Sequence, residues 1–431
     1  MNAPRGPLNP PWQELHARPY LRFTAPAHVL RISFLASAEP GPEELPRLEE
    51  LARALGLRPT YVSERHVILA GSREGLGRLA LLWERHTEFL AFTLVLSELV
   101  VPFAPLRLDL RTLLPAGWLD GAGCPLVAVQ LVVGGASQMP ATPEDMVDRI
   151  FEGHTVHASL VMGGRAAAWT CYRIHTDGLG RLALVADGLS SQEIGRTVER
   201  LLAIEDLYHL ILLAQDRAAE AKPLLKHAEE RLREQTAKLG HARTVPERRG
   251  VLEALLALAS DVEEARSRWT YRFAASSAYF TLLENRFAEL REVKREGVLS
   301  LSRFVMRRLR PAANGYREIL SRLSDLSARI ERAADLLRTA IELSVEEQSL
   351  LLLERVDRSM RAQQLFQEEI EILSTVVIAY YVLGILAHVL RGAERLGVAL
   401  DEDLVLAGAT PLLLLGIFLM LRAVQRRSRR D

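Results

Sequence analysis

Two long apolar runs stand near the end of the chain, at residues 372–390 and 404–421, and neither contains a formally charged side chain. Each run has about the 20 residues that a helix needs to cross a bilayer. A helix in the core of a soluble protein would show a polar stripe with a period of 3.6 residues, and neither run has one. The pattern therefore predicts a two-helix C-terminal transmembrane hairpin over residues 370–422.

Positive charge follows the second apolar run, which predicts the orientation of the hairpin. The arginines of this segment are Arg422, Arg426, Arg427, Arg429 and Arg430. Arginine and lysine next to membrane helices stay in the cytoplasm, so residues 423–431 are expected to form a basic cytoplasmic tail. The chain starts without an apolar run behind basic residues, which argues against a signal peptide. We expect a multi-pass protein of the inner membrane with both termini in the cytoplasm.

The first part of the chain mixes strand and helix patterns. Short segments rich in apolar and β-branched residues predict strands at residues 29–36, 59–63, 66–70, 79–83, 88–96, 127–133, 157–162, 167–175 and 181–186. Leucines at helical spacing predict a helix over 42–55, which Gly56 would end, and Thr142 with Pro143 marks the start of another. Because no regular βαβ repeat occurs, we expect an α+β cytoplasmic domain at residues 1–190.

Strand patterns almost vanish after residue 190. Apolar residues then recur at steps of three and four, at Leu320, Leu323, Leu326, Ile330, Ala333, Leu337, Ile341 and Val345. This spacing is typical of a coiled-coil-like seam, and breaks are expected near Pro311 and Gly315. Residues 191–369 are therefore predicted to form a long α-helical stalk, whose helix from 315 to 390 would be roughly 110 Å long at 1.5 Å per residue.

Charge and cysteine content exclude several classes of function. The chain has 54 basic and 54 acidic residues, so it lacks the strongly basic balance of many nucleic-acid-binding proteins. Cys124 and Cys171 are too few for a disulfide framework or a zinc site. We expect no nucleic-acid partner, no cofactor and no metal. The expected partners are instead other copies of the chain, which the stalk would bind to form a homo-oligomer, and the lipid bilayer, which the apolar runs would contact.

His16 and Arg18 are the candidate ligand-binding residues of the first domain. The forked guanidinium of arginine suits an anion or a phosphate. In a purely structural alternative, Arg18 pairs with Glu14 and His16 pins the N-terminal arm. A metal pair at His154 and His157 is disfavoured, because residues in an extended segment at this spacing point to opposite faces.

Catalytic motifs are missing from the sequence. The glycine-rich segment 71–77 lacks the lysine of a phosphate-binding loop, and neither a nucleophile elbow nor a zinc-protease helix occurs. Trp83, His86 and Glu88 fit packing and hairpin contacts better than catalysis. We therefore expect no catalytic residues and no enzymatic activity.

Six residues in and directly after the first apolar run are candidates for pore lining or for helix packing. They are Thr375, Tyr380, Tyr381, Gly384, His388 and, at the end of the run, Arg391. A phenol in the middle of a bilayer needs a polar partner or water. The two tyrosines are therefore expected to face protein or a water-filled path.

Several short motifs together resemble an uncharacterised bacterial family, the domain-of-unknown-function family 3422. They are Leu15-His16-Ala17-Arg18-Pro19, Trp83-Glu84-Arg85-His86-Thr87-Glu88-Phe89, Arg303-Phe304 with Arg307-Arg308-Leu309, Arg332-Ala333-Ala334-Asp335-Leu336-Leu337-Arg338-Thr339 and Ala379-Tyr380-Tyr381-Val382. The resemblance covers nearly the whole chain. It implies a membrane-anchored protein and carries no activity.

The overall plan also resembles the CorA-type magnesium channels, which combine an N-terminal α+β domain, a long helix and two C-terminal membrane helices. Their Gly-Met-Asn signature after the first membrane helix is absent, and residues 388–394 stand in its place. Two functions follow. The first is a membrane-anchored, cytoplasmic ligand- or partner-binding module on an oligomeric helical stalk, and the alternative is a CorA-like ion channel or transporter with an atypical pore mouth.

Overall fold

The structure is a computed structural model that describes residues 20–36, 44–119, 125–140, 142–394 and 402–428. Its strands are β1 (Ala27–Leu35), β2 (Arg58–Val62), β3 (His66–Arg73), β4 (Gly77–Arg85), β5 (Phe89–Ser97), β6 (Val127–Gly134), β7 (His157–Val161), β8 (Ala166–Ile174), β9 (Gly180–Ala186) and β10 (Val293–Lys294). Its α-helices are α1 (Glu44–Leu55), α2 (Pro143–Arg149), α3 (Ser191–Leu212), α4 (Gln215–His241), α5 (Val245–Leu290), α6 (Leu301–Glu394) and α7 (Glu402–Ser428).

All ten strands join one mixed sheet in the order β10-β7-β8-β9-β6-β1-β5-β4-β3-β2. Strands β1 and β6 pair antiparallel at its centre. After β1 and after β6 the chain forms a helix and then a meander of antiparallel strands. The last strand of each meander pairs with the strand that precedes the helix. Strand β5 returns to β1 antiparallel, whereas β9 returns to β6 parallel, because the first meander contains one strand more than the second. The strand predictions for the first domain are confirmed. The observed fold class is a mixed sheet combined with long helices.

Helices cover the two faces of the sheet near β1. Side chains alternate along a strand, so Leu30 and Ile32 enter the core that α1 completes with Leu51 and Leu55. Arg31 and Ser33 point the other way and contact Asp206 of α3. Thus α3, which the sequence pattern assigns to the stalk, lies on the sheet. These two helices make this part of the molecule a three-layer structure.

The predicted start and stop signals agree with the local backbone. Thr142 accepts a hydrogen bond from the amide of Asp145 at the start of α2, with Pro143 as the first helical residue. Gly56 follows α1 with a φ of +68°, a conformation that costs glycine little. At α3, Ser190 and Glu193 form a capping box, which satisfies free amides at the helix start.

Helices α4, α5 and α6 pack side by side in the same unit. Arg322 of α6 pairs with Glu229 of α4 at 2.8 Å, and Phe273 of α5 stacks on Tyr316 of α6. The apolar residues Leu323, Leu326, Ile330 and Leu337 are buried. The predicted seam is thus a packing surface inside the chain over much of its length.

Helix α6 is continuous over 94 residues and contains Pro311. The predicted break at this position is wrong. Proline removes one backbone hydrogen bond and crowds the preceding turn, and here the helix continues through it. The helix includes the first apolar run and ends at Glu394.

Among the described residues, one helical segment, Leu373–Gly392, is long and apolar enough to cross a membrane, with a mean hydropathy of 2.0. In α7 the apolar stretch is shorter, Leu404–Met420. The predicted two-helix hairpin is therefore not confirmed, and the second span stays a prediction.

The chain divides into two compact units. The first comprises Met1–Gly240 and Glu253–Ala333, and the second comprises His241–Leu252 and Ala334–Asp431. The sheet and most of the three-helix packing belong to the first unit. In the second unit, Arg248 donates hydrogen bonds to the backbone oxygen of Ala340 and to Ser344.

Candidate functional site

The predicted ligand-binding residues His16 and Arg18 lie outside the described residues. The described chain begins at Tyr20 and passes close to α3. A Cβ atom added to Gly195 would lie 1.9 Å from the backbone oxygen of Leu21. This close approach explains why α3 carries glycine in its first turns, and it fixes the entrance to β1 against the helix.

A buried ionic network joins β1, β4, β5 and α3. The guanidinium of Arg31 donates to Glu84, to Thr93 at 2.7 Å and to Asp206 at 2.6 Å. Ser33 donates to the second oxygen of Asp206 at 2.6 Å. Arg31 is only 5% exposed and Asp206 only 1%. Every strong charge in this network has an opposite charge beside it.

Electrostatics favour the charged forms of Arg31 and Glu84. Burial by itself disfavours charge, but the carboxylates of Asp206 and Glu84 outweigh it and raise the pKa of Arg31. Burial is the largest single influence on Glu84 and raises its pKa, but Arg31, His86 and His66 together lower it more, so the net pKa lies below its ordinary value. The network therefore contributes to holding α3 on the sheet.

A cavity of about 20 Å³ lies beside the network, lined by Tyr20, Arg31, Glu84, Thr93 and Glu199 among others. Such a space accommodates about one water molecule, whereas ligand pockets usually measure about 300–1,000 Å³. The network is consequently a structural junction and has no room for a metabolite.

The turn between β4 and β5 connects the sheet to α5. Glu88 accepts hydrogen bonds from Arg272 at 2.9 Å and from the Tyr279 hydroxyl at 2.6 Å. His86 stacks on Phe89 with ring centroids 4.1 Å apart. The packing role that the sequence suggests for this motif agrees with these contacts.

Cys171 and His175 form the pair that most resembles a catalytic dyad. The thiol sulfur lies 3.5 Å from His175 Nε2, and His175 Nδ1 lies 3.2 Å from the backbone oxygen of Leu179. A carbonyl oxygen only accepts, so Nδ1 carries the proton and Nε2 accepts from the thiol. Burial raises the pKa of Cys171. The thiolate needed for nucleophilic chemistry is thus disfavoured.

Glu205 of α3 is the most strongly perturbed carboxyl group among the described residues. It is 6% exposed, and burial, followed by the neighbouring charge of Asp206, raises the pKa of Glu205 to about 8. The charge of Glu205 in turn raises the pKa of Tyr208, after the larger effect of burial. The carboxyl group is therefore mainly protonated at neutral pH and can donate a hydrogen bond.

Four aromatic rings from β7, β8, α3 and α6 meet at one junction in the first unit. Phe304 of α6 stacks on His157 of β7 at 3.8 Å and on Tyr172 of β8 at 5.2 Å. Tyr208 lies 6.1 Å from Tyr172, and the Arg308 guanidinium lies 4.7 Å from the Phe304 ring. Cation–π contact and stacking stabilise this junction.

The backbone at Tyr172 is unusual, with a φ of +50°. It falls where the register of β8 and β9 shifts between Thr170 and Ile174, and the Tyr172 amide donates to the Thr170 hydroxyl at 3.2 Å. A bulge of this kind redirects a side chain. The sequence analysis missed this cluster because its members are far apart in the chain. The available signal was the family-like motif Arg303-Phe304 with Arg307-Arg308-Leu309, which contains Phe304 and Arg308 of the cluster.

Grooves of ligand size occur between the helices of the first unit. The groove between α4 and α5 has a volume of about 280 Å³ and includes Leu224, Arg231, Leu258, Asp261, Arg268 and Trp269. Trp269 is 2% exposed and its indole nitrogen lacks a hydrogen-bond partner. The groove between α5 and α6 is larger, about 630 Å³, and is lined mainly by serine and glutamate.

The predicted pore or packing residues lie on the apolar part of α6. Tyr380 and Tyr381 are 74% and 66% exposed, and their ring centroids are 6.1 Å apart. His388 Nδ1 lies 2.8 Å from the backbone oxygen of Gly384. Thr375 and Arg391 belong to the same helix. Whether these side chains line a pore or pack against other helices stays a prediction.

Within the described residues, no three histidine, cysteine or carboxylate side chains come together as a metal site. No curated protein matches the chain. A family model described as "Protein of unknown function (DUF3422)" matches residues 11–428. Because this match covers nearly the whole sequence, the chain belongs to the DUF3422 family.

Proposed function

We propose that this protein is a membrane-anchored module whose sheet and helical bundle bind a ligand or a partner in the cytoplasm. The observation that carries the proposal is the segment Leu373–Gly392, of which only 11% is buried. Exposing this much apolar surface to water costs about 25 cal/mol per Å². A bilayer would cover it, and the helix has the length to span one.

The orientation follows from charge. Arg426 and Arg427, near the end of α7, favour a cytoplasmic C-terminus. In the proposal the apolar stretch Leu404–Met420 is the second span and returns the chain to the cytoplasmic side. Both termini, and therefore the sheet, lie on the cytoplasmic side of the inner membrane.

The groove between α4 and α5 is the proposed binding surface of the cytoplasmic part. It combines an apolar floor, with Leu258 and Trp269, and charged rims, with Arg231 and Asp261. Binding sites commonly combine apolar area with a few polar groups. No catalytic step is assigned, because the cysteine–histidine pair and the Arg31 network are buried.

Membrane extraction tests the anchor. The full chain should stay with membranes after treatment at alkaline pH, which releases peripheral proteins. Ile378→Arg combined with Ile385→Arg places two charges in the span, at about 2.5–3.5 kcal/mol each, and should release the chain. The matched control is Leu351→Arg with Leu365→Arg, since both leucines are exposed outside the candidate span. Release of the unmodified chain would refute the anchor.

A fusion of alkaline phosphatase after Asp431 tests the orientation. This reporter is active only after export, so the fusion should be inactive, while a fusion of green fluorescent protein at the same position should fluoresce. An active phosphatase would overturn the cytoplasmic C-terminus.

The channel alternative is tested separately by ion flux through purified protein in liposomes. An arginine at the mouth of a pore disfavours cations, so Arg391→Glu should raise cation flux if a path exists. We expect no flux with either protein, since the proposed role of the apolar helices is anchorage.

A further inference from the structure

The part of α6 before the apolar span carries apolar side chains that the rest of the described chain leaves exposed. Eleven large apolar side chains of residues 345–373 are 43–66% exposed. Six of them share one stripe: Val345, Leu352, Val356, Phe366, Ile370 and Leu373. The other five, Leu350, Leu351, Leu353, Met360 and Leu365, lie outside it. Buried residues of the same helix, such as Leu326 and Leu337, are 2% exposed or less. The uncovered stripe begins where this burial ends.

The exposed stripe follows a heptad repeat. Position d is occupied by Val345, Leu352, Ser359, Phe366 and Leu373, and position a by Ser349, Val356, Gln363 and Ile370. Every step along this series is three or four residues. Four heptads give a seam of about 43 Å at 1.5 Å per residue, which is the length at which a heptad pattern indicates a coiled coil.

Charged residues avoid the stripe. Those of the segment are Glu346, Glu347, Glu354, Arg355, Asp357, Arg358, Arg361, Glu368, Glu369 and Glu371, and none occupies position a or d. On the outer side, Arg361 pairs with Asp357 at 2.6 Å and Arg358 with Glu354 at 3.7 Å within the same helix. The a/d face carries no charged side chain and is suited to another helix.

We propose that residues 345–373 form a parallel two-stranded coiled coil with the same segment of a second copy of this chain. β-Branched residues at a, here Val356 and Ile370, combined with Leu352 at d favour two parallel strands. In a parallel pair each residue meets its own counterpart. Gln363 would therefore face the Gln363 side chain of the second copy, where the two amides can hydrogen-bond and fix the register.

The membrane span next to the seam favours a second copy of this chain as the partner helix. This step rests on the proposed membrane anchor, because identical spans starting at Leu373 would hold two copies with the same orientation and at the same depth. Confinement of this kind raises the effective concentration of one helix for the other. A parallel partner shifted by one heptad would put Gln363 opposite Val356 or Ile370.

Disulfide crosslinking in native membranes tests the proposal. In a chain with Cys124→Ala and Cys171→Ala, single cysteines are introduced as Leu352→Cys and Val356→Cys on the seam, and as Glu354→Cys and Arg361→Cys on the outer face. Mild oxidation should join the seam variants into a species of twice 48.1 kDa, with at least a tenfold lower yield for the outer variants. Equal yields, or a crosslinked species of another mass, would overturn it.

A second pair of variants separates the coiled coil from the anchor. Val356→Asp with Ile370→Asp should abolish seam crosslinking at Leu352→Cys while the chain remains in the membrane, whereas Leu351→Asp, on the outer face, should leave crosslinking intact. Undiminished crosslinking in the double aspartate variant would refute the coiled coil alone. Loss of the unmodified chain from the membrane would refute the anchor, whatever the crosslinking yield.

Discussion

Replacing Arg31 by methionine removes the only cation that contacts both Glu84 and Asp206 among the contacts of the described residues. Methionine keeps much of the side-chain volume, so the change is mainly electrostatic. Two carboxylates would remain at a site where Arg31 is 5% exposed. Breaking a buried ion pair by removing one partner costs about 3–5 kcal/mol, and we expect Arg31→Met to lose that much at pH 7.

A surface pair provides the matched control. Arg78 and Glu98 are 3.3 Å apart, and both side chains are 56% exposed. Exposed pairs contribute about 0–1 kcal/mol, so Arg78→Met, the same chemical change, should lower the free energy of unfolding by less than about 1 kcal/mol. Replacing the whole network, with Arg31→Met, Glu84→Gln and Asp206→Asn together, should recover most of the loss because no unpaired charge remains.

The assay is urea unfolding of the full chain in detergent, and tryptophan fluorescence is the measured signal. Trp83 is 2% exposed and precedes Glu84 in β4, so its emission reports on this junction. The pH dependence has a defined sign. Because the pKa of Glu84 is lowered in the fold, its contribution is present above its ordinary pKa of 4.5 and is lost at lower pH. The gap between the unmodified chain and Arg31→Met should therefore narrow below about pH 4.5. A loss under 1 kcal/mol at pH 7 would refute the reasoning.

Two further predictions concern α3. Glu205 has a pKa of about 8 in the fold, whereas the unfolded chain releases this proton near pH 4.5, so the free energy of unfolding should fall as the pH rises from 4.5 through 8. Glu205→Gln should flatten this dependence of the free energy of unfolding on pH in urea titrations at pH 5.5 and 8.5. An unchanged dependence would contradict the assignment. Gly195→Ala places a Cβ 1.9 Å from the Leu21 backbone oxygen and should lower the melting temperature by several degrees. The helical Gly240, with open space around it, is the control, and Gly240→Ala should be neutral or slightly stabilising.

Local patterns were sufficient for nine of the ten strands of the sheet, and they missed β10, which lies within the predicted stalk. The run 29–36 is rich in apolar and β-branched residues, and it forms β1 nearly as predicted. Glycine turns separated the strands of the second meander, and Thr142 and Gly56 marked helix ends by their own backbone chemistry. These features depend on residues within a few positions of each other, which one sequence displays directly.

Long-range pairings were not available from the pattern. Arg31 stands alone in an apolar strand, which signals a buried partner, yet Asp206 lies 175 residues away. The parallel pairing of β6 with β9 and the junction of Phe304 with Tyr172 depend in the same way on the path of the whole chain. Pro311 misled the reasoning because local propensity predicts a break, whereas packing of α6 retains the helix.

The membrane anchor is tested most directly by the depth of α6 in a bilayer. Spin labels are attached to single cysteines in turn from Leu373 to Gly392, in a chain without Cys124 and Cys171, and their collision rates with oxygen and with a water-soluble nickel complex are measured in liposomes. The anchor predicts high oxygen and low nickel accessibility along the segment, with the lowest nickel accessibility near Tyr381, and high nickel accessibility for a control label at Glu354. Nickel accessibility throughout 373–392 equal to that at Glu354 would contradict a membrane-embedded helix.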